Sequence, residues 1–395
     1  MTSGLKHIKG DKVIWFIVVM LSIISLLTVY SSTGTLAYKY QGGNTMYYMI
    51  KHGVILLFGL FLMYMAYKLK YTYYSRIFQI VLYIAVPLLV ITLFFGETIN
   101  DASRVLKIPI IGLTFQTSDL AKITLIVYLA RELTLRQDRI KGFKSAFLPL
   151  MIPILVVVLV ILPANFSTAA IVFVISLVLL FIGRVRLLYL FGMIGSGIVI
   201  IAIAILIMFN MPEGMTGRTA TWKSRLEHFF SKDKSDVPYQ VQQAKIAIAN
   251  GGIYGKGPGN STQRNFLPHP YSDFIYAIII EEYGLIGGAF VLLLYLIFFY
   301  RAIRISLKSP TLFGSFMVIG MSFSLVFQAM INMGVAVSLL PVTGQPLPLI
   351  SMGGTSLWFS SLAIGIILSV SREIELEKEK ALLEQEETSE EVAYE

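Results

Sequence analysis

Asp273 is the side chain best placed to do chemistry. It stands where a polar loop carrying Leu267 and Pro268 meets the apolar run that opens Phe274-Ile275-Tyr276, and a carboxylate at the lip of a membrane span is costly to desolvate, which marks it as a functional candidate. Two readings stand open: it caps the helix that follows, or it moves a proton. Glu281 and Glu282 come two turns later, too deep to serve as caps, and three acids near one helix suggest a site for a cation or a proton transfer. The glutamates have an alternative of their own, packing against Arg or backbone donors. Asp119 and Lys122 lie three apart and share a helix face, as a structural ion pair or as a substrate contact. Upstream, Asn100-Asp101-Ala102-Ser103-Arg104 places a guanidinium nearby. Arg104 and Lys122 together suit a phosphate, since Arg offers a bidentate fork and Lys a point charge.

Other chemistries find little support. Gly255-Lys256-Gly257-Pro258-Gly259 looks like a phosphate loop, but it follows no strand, lacks the usual spacing, and Pro258 removes a donor. Asn260-Ser261-Thr262 is a weak glycosylation match. The four histidines, His7, His52, His228 and His269, show no zinc-ligand spacing. With no cysteine there is no disulfide and no thiolate metal site.

The elements that must position these residues are membrane helices. The chain is 56% hydrophobic and 14% charged over 395 residues, with mean hydropathy +0.74; this describes an all-α polytopic membrane protein rather than a soluble core. A ruler of about twenty apolar residues gives ten spans, near 13–33, 46–67, 76–96, 115–133, 146–163, 166–184, 187–209, 273–300, 311–338 and 353–371. The first, too long for a signal h-region and without a cleavage site, is read as a retained helix.

The net charge of +9 hides an asymmetry, because the tail from Arg372 onward holds ten glutamates against three basic residues and leaves +16 upstream. That excess lies in short connections, including Lys6, Lys9, Lys12, Lys68, Lys70, Arg76, Arg131, Arg136, Arg301 and Arg304, where it orients helices instead of gripping nucleic acid. Both termini are therefore expected in the cytoplasm and the long loop 210–272 outside. Within that loop Thr219 to Phe230 reads as an amphipathic helix at the headgroup boundary, and a second helix from Tyr239 to Ala249 is stopped by Gly251 and Gly252. The acidic tail, 372–395, is expected to continue the last helix and then fray.

Pro341-Val342-Thr343-Gly344-Gln345-Pro346-Leu347-Pro348, followed by Ser351-Met352-Gly353-Gly354, cannot be a regular helix. Either it is an outer turn or it is irregular backbone lining a cavity, in which case Ser351, Gly353 and Gly354 shape the cavity mouth.

Taken in order, the segments 100–104, 116–122, 251–260, 267–284 and 332–356 resemble the SEDS family of shape, elongation, division and sporulation proteins. The likeness runs over essentially 1–371. Its most specific marks are Leu267-Pro268, Asp273-Phe274-Ile275 and Glu281-Glu282, then Pro341-Val342-Thr343-Gly344, Pro346-Leu347-Pro348 and Gly353-Gly354. The run Gly259-Asn260-Ser261 and the Gly353-Gly354-Thr355-Ser356 stretch are closer to the family's division members than to its elongation members. The chain departs from the family at Asn165-Phe166-Ser167-Thr168, where an acidic residue is usual, and no role carries over to that position.

The resemblance implies a peptidoglycan glycosyltransferase that polymerises lipid II at the outer face of the bacterial cytoplasmic membrane, alongside a class B penicillin-binding protein and other division proteins at the septum. On that reading Asp273 is the general base for the acceptor sugar's 4-hydroxyl, which attacks the anomeric carbon with inversion. Arg104, Lys122 or a divalent cation, Mg or Mn, offsets charge on the departing undecaprenyl pyrophosphate, and no organic cofactor is implied. A lipid II flippase, a RodA-type elongation polymerase and a noncatalytic division scaffold are the alternatives.

Overall fold

The computed structural model describes residues 9–98, 103–108, 113–210 and 239–394. Inside a bilayer the backbone has only itself to bond with, and helices satisfy it within one segment. The helices are α1 (Lys12–Ser32), a short α2 (Gly34–Gln41), α3 (Thr45–Lys68), α4 (Tyr74–Phe95), α5 (Thr117–Leu135), α6 (Leu148–Ala164), α7 (Phe166–Ile182), α8 (Leu187–Asn210), α9 (Tyr239–Gly251), α10 (Ile275–Lys308), α11 (Leu312–Ala336) and α12 (Gly354–Tyr394).

Among the described residues seven helices, α1, α3, α4, α6, α10, α11 and α12, are long and apolar enough to cross a membrane. α7 and the described side chains of α8 are apolar but shorter, and α5 carries Asp119, Lys122, Arg131 and Glu132. The expected ten spans thus all meet helices, of which seven satisfy a strict length and hydropathy test. Asn165 separates α6 from α7, its side chain accepting from the Thr168 N–H at 3.3 Å. α11 and α12 are central, with 72% of their apolar windows buried against 28% for α4.

The fold is all-helical as expected, with one small addition: β1 (Glu97–Thr98), β2 (Ser103–Ile108) and β3 (Leu113–Phe115) form a small antiparallel sheet in the order β1-β2-β3. Glu97 pairs with Val105, and Leu106, Lys107 and Ile108 pair with Phe115, Thr114 and Leu113. Strands this short fall below a twenty-residue window, so a span ruler passes over them. The acidic tail does not fray after Arg372 but stays helical to Tyr394. Its Glu, Lys, Ala, Leu and Gln residues are strong helix formers. Lys70 pairs with Glu373 at 3.1 Å, Lys9 pairs with Glu379, and the Arg372 guanidinium donates to the Lys68 carbonyl at 2.7 Å. Near the same end Arg301 holds Asp11, which also caps α1.

α10 is broken at Gly284, where φ is 70° and ψ is −174°. The loop after α9 fills the break with its own backbone. Lys256 and Gly257 donate to the carbonyls of Glu281 and Glu282 at 3.0 and 2.9 Å, and Leu285 donates to Gly252 at 2.9 Å. α9 runs to Gly251, two residues past the expected end at Ala249, and Gly252 takes the left-handed conformation. A Cβ on Gly284 would lie 2.1 Å from the Ile253 carbonyl oxygen. Gly284→Ala is therefore expected to cost about 2 kcal/mol or more in stability, read as a lowered melting temperature in detergent. Gly252→Asn, with open space around its Cβ, should melt like the parent. The expected helix from Thr219 to Phe230 lies outside the described residues.

Candidate functional site

The segment 341–353 enters the bundle as irregular backbone, because Pro341, Pro346 and Pro348 deny it helical hydrogen bonds. Gln345 and the run from Leu347 to Ser351 are buried, so an open surface turn is excluded. Side chains from the surrounding helices bond several of its backbone carbonyls, as irregular backbone at this depth requires. Asn332 donates to the Gln345 carbonyl at 2.7 Å, Gln328 to the Pro346 carbonyl at 3.0 Å, and Tyr295 to the Pro348 carbonyl. The Gln345 amide reaches Thr168 at 3.0 Å.

This buried segment holds the loop that bears Asp273. The Ser351 hydroxyl accepts from the Leu347 N–H at 2.8 Å and donates to the Ser272 carbonyl at 2.7 Å. The Met352 N–H donates to the Tyr271 carbonyl at 2.8 Å, and Asn332 donates to the Asp273 carbonyl at 3.0 Å. Three consecutive backbone carbonyls, 271 to 273, are thus fixed from one side. Ser351 acts by geometry, as a two-way clamp.

Asp273 itself is half-buried. α10 starts at Ile275 with Phe274 as its N-cap residue and takes no side-chain capping bond, so the capping alternative falls away. The Ser272 hydroxyl donates to Asp273 Oδ1 at 2.8 Å and orients the carboxylate. Tyr271 lies beside it, its hydroxyl 3.1 Å from His269 Nδ1. Burial, and next the Asp273 charge, hold the Tyr271 phenol above its usual range, so it stays protonated at neutral pH.

Asp119 and Lys122 form a buried pair, 3% and 7% exposed, with Lys122 Nζ 3.3 Å from Asp119 Oδ1 and donating to Gln328 Oε1 at 2.7 Å. Because Gln328 in turn holds Pro346 and Asn332 holds both Gln345 and Asp273, the pair is joined to the Asp273 loop through two amides one turn apart on α11. It does not touch Asp273 directly. Gln328 and Asn332 were missed as site residues, although polar amides spaced i,i+4 in an apolar span are a visible signal.

Glu281 and Glu282 are 0% and 1% exposed, and they do not join Asp273 in a three-acid site. Glu281 accepts from Lys256 Nζ at 3.1 Å, from the Thr262 and Gln263 N–H groups at 3.2 Å, from the Thr262 hydroxyl at 2.8 Å and from Ser261. Glu282 accepts from Ser31 and from the Ser261 N–H at 3.4 Å, while Arg264 ties to the Ser31 carbonyl at 3.0 Å. The physical reason is the break at Gly284: it brings the 256–264 loop against the glutamates, and a buried carboxylate needs donors close by. Both anchor the loop that leads to Asp273. Among the described residues no three His, Asp or Glu side chains come together as a metal would need.

Arg104 belongs to β2, whose partner β3 is tied to the start of α12: the Thr355 hydroxyl donates to the Thr114 carbonyl at 3.1 Å and accepts from the Gln116 N–H at 3.0 Å. Its side chain, like residues 99–102, lies outside the described part of the molecule. Gly353 and Gly354 stand at the junction of the buried segment and α12, and a Cβ on either would meet only ordinary contacts, the nearest 3.8 and 3.6 Å away. Space alone does not demand glycine there.

The family model for FTSW_RODA_SPOVE, described as cell cycle protein, matches residues 11–376. The chain is 32% identical over 374 residues to the "Probable peptidoglycan glycosyltransferase FtsW" of Geobacter sulfurreducens, covering 92% of this chain and 95% of that one. It is 31% identical over 377 residues to the stage V sporulation protein E of Bacillus subtilis, covering 93% and 98%. Among solved structures, a chain of a peptidoglycan synthase complex that coordinates polymerization and crosslinking superposes with TM-score 0.73 at 22% identity, covering 92% and 98%. The rod shape determining protein RodA of Thermus thermophilus does so with TM-score 0.66 at 22% identity, covering 93% and 98%. The two structures establish the shared fold.

Proposed function

The chain belongs to the FtsW/RodA/SpoVE family of cell cycle proteins, and from that premise we propose how its half-buried acid serves the family's reaction. It is a peptidoglycan glycosyltransferase, as its FtsW relatives are named. The substrate is lipid II, and all ten helical segments of the ruler cross the bacterial cytoplasmic membrane, with both termini in the cytoplasm and Asp273 at the outer face. The gathering of Lys9, Lys70, Arg301 and Arg372 at the end of the bundle away from Asp273 supports that orientation under the positive-inside rule.

In this reading Asp273 takes the proton of the acceptor sugar's 4-hydroxyl as that oxygen bonds to the donor's anomeric carbon. The bond from that carbon to the pyrophosphate oxygen breaks on the opposite face, and undecaprenyl pyrophosphate leaves with the electron pair. A pyrophosphate leaves well without a proton, so one carboxylate suffices where glycoside hydrolysis needs two. The observation that carries the reading is a carboxylate not used as a helix cap, oriented by Ser272 and held on three fixed carbonyls, which is the preorganisation a general base requires. Lys122 is turned inward to Asp119 and Gln328, so its part is to hold the Pro346 segment. Arg104, on β2, is left to meet the pyrophosphate.

The division role is the nearer one, given the FtsW and sporulation relatives, with a class B penicillin-binding protein as crosslinking partner, as the similarity to a chain of a synthase complex supports. The test is reconstitution of the full chain with that partner in vesicles bearing labelled lipid II. Glycan strands should form; movement of lipid II across the bilayer without strand synthesis would sink the assignment in favour of a flippase.

A further inference from the structure

Ser25 of α1 and His52 of α3 meet inside the bundle, 0% and 1% exposed. The Ser25 hydroxyl oxygen lies 2.7 Å from His52 Nε2 and 2.8 Å from the Ile350 carbonyl oxygen. A hydroxyl has one hydrogen to give. Donated to Ile350, it leaves the oxygen to accept, so His52 Nε2 must carry the ring proton. That tautomer leaves His52 Nδ1 as a bare acceptor at a position with no partner among the described residues. The opposite tautomer would bury an unpaired N–H and strip Ile350 of this donor, which costs more.

The bond falls at a strained point. Leu349, 3% exposed, has φ 64°, a left-handed conformation that a branched side chain adopts only when its surroundings force it. Tyr295 holds the carbonyl before it, at Pro348, and Ser25 holds the one after it, at Ile350. The next two residues, Ser351 and Met352, make the bonds that place the carbonyls of Ser272 and Tyr271.

We propose that His52 and Ser25 are positioning residues for glycan polymerisation: the His52-to-Ser25-to-Ile350 relay holds the turn at Leu349 and, through Ser351 and Ser272, sets the Asp273 carboxylate. This rests on Asp273 as the general base. Neither residue touches the reacting atoms, so removing the relay should slow the chemical step and leave substrate binding alone.

The test uses the full chain with its crosslinking partner, labelled lipid II as substrate, and four variants: Ser25→Ala, His52→Leu, His52→Gln and Asp273→Ala. Gln offers an N–H donor at the reach of Nε2. In folded Ser25→Ala and His52→Leu, kcat should fall about tenfold, equivalent to about 1.4 kcal/mol, with KM within about twofold, while His52→Gln keeps at least about a third of the parent kcat. Parent kcat in both Ser25→Ala and His52→Leu overturns the relay, as does a rise in KM alone. Equal loss in His52→Gln and His52→Leu also overturns it, by assigning His52 to packing. If Asp273→Ala is inactive while the relay variants are not impaired, the relay alone falls; if Asp273→Ala polymerises normally, the general-base reading falls with it.

Discussion

Replacing Asp273 by Ala or Asn lowers lipid II polymerisation by about a hundred- to ten-thousand-fold, the range a positioned general base supplies, while insertion and melting temperature stay near those of the parent. Asn is the sharper probe. Its side-chain oxygen still accepts from the Ser272 hydroxyl, and the carbonyl that Asn332 holds is untouched. Only the capacity to take a proton is lost. Because the first turn of α10 draws no capping bond from this side chain, neither variant should loosen the helix start, and loss of activity cannot be blamed on a frayed terminus. Rates are measured on purified variants with the crosslinking partner present, beside thermal melts of the same preparations. Polymerisation by folded Asp273→Asn at the parent rate would remove this residue from the mechanism.

Lys122→Met should destabilise the fold by about 3–5 kcal/mol, the cost of leaving one member of a buried ion pair without the other. Asp119 is 3% exposed and its Oδ2 has no hydrogen-bond partner among the described residues, so Lys122 is what compensates its charge. Adding Asp119→Asn to Lys122→Met removes that charge and should restore most of the lost stability. Activity should not return with it: Gln328 Oε1 has lost the donor 2.7 Å away, and the Pro346 carbonyl that Gln328 holds is then less firmly placed. Melting curves and polymerisation rates of the two single variants and the double variant check this. A melting temperature for Lys122→Met equal to the parent's contradicts the buried-pair account. Full activity in the double variant shows that the pair does not act through Gln328.

Much was legible in the sequence because membrane burial is a strong, one-dimensional constraint. Apolar runs have to be helical in a bilayer, and the ten expected spans fall on α1, α3 to α8 and α10 to α12. The three prolines of 341–348 announced irregular backbone for an equally local reason, the missing N–H groups. Family motifs pointed to Asp273 and the glutamate pair. The three-stranded sheet was invisible because it is built from pieces of two, six and three residues, too short for any periodicity to declare.

What each polar group does was decided by contacts far apart in the chain. Glu281 and Asp273 look alike in sequence, two acids on one amphipathic border. One is sealed beneath Ser261, Thr262 and Lys256 because Gly284 breaks the helix beside it, and the other is left half-open above the segment that Asn332 and Ser351 hold. Ser25, His52 and Ile350 are separated by up to 325 positions, and no local pattern links them. Residue types and hydropathy alone determined that this chain makes membrane helices and which side chains were too costly to bury without reason. Tertiary packing alone decided which of those side chains found partners, because a buried charge or hydroxyl is satisfied by geometry in three dimensions and not by its neighbours in sequence.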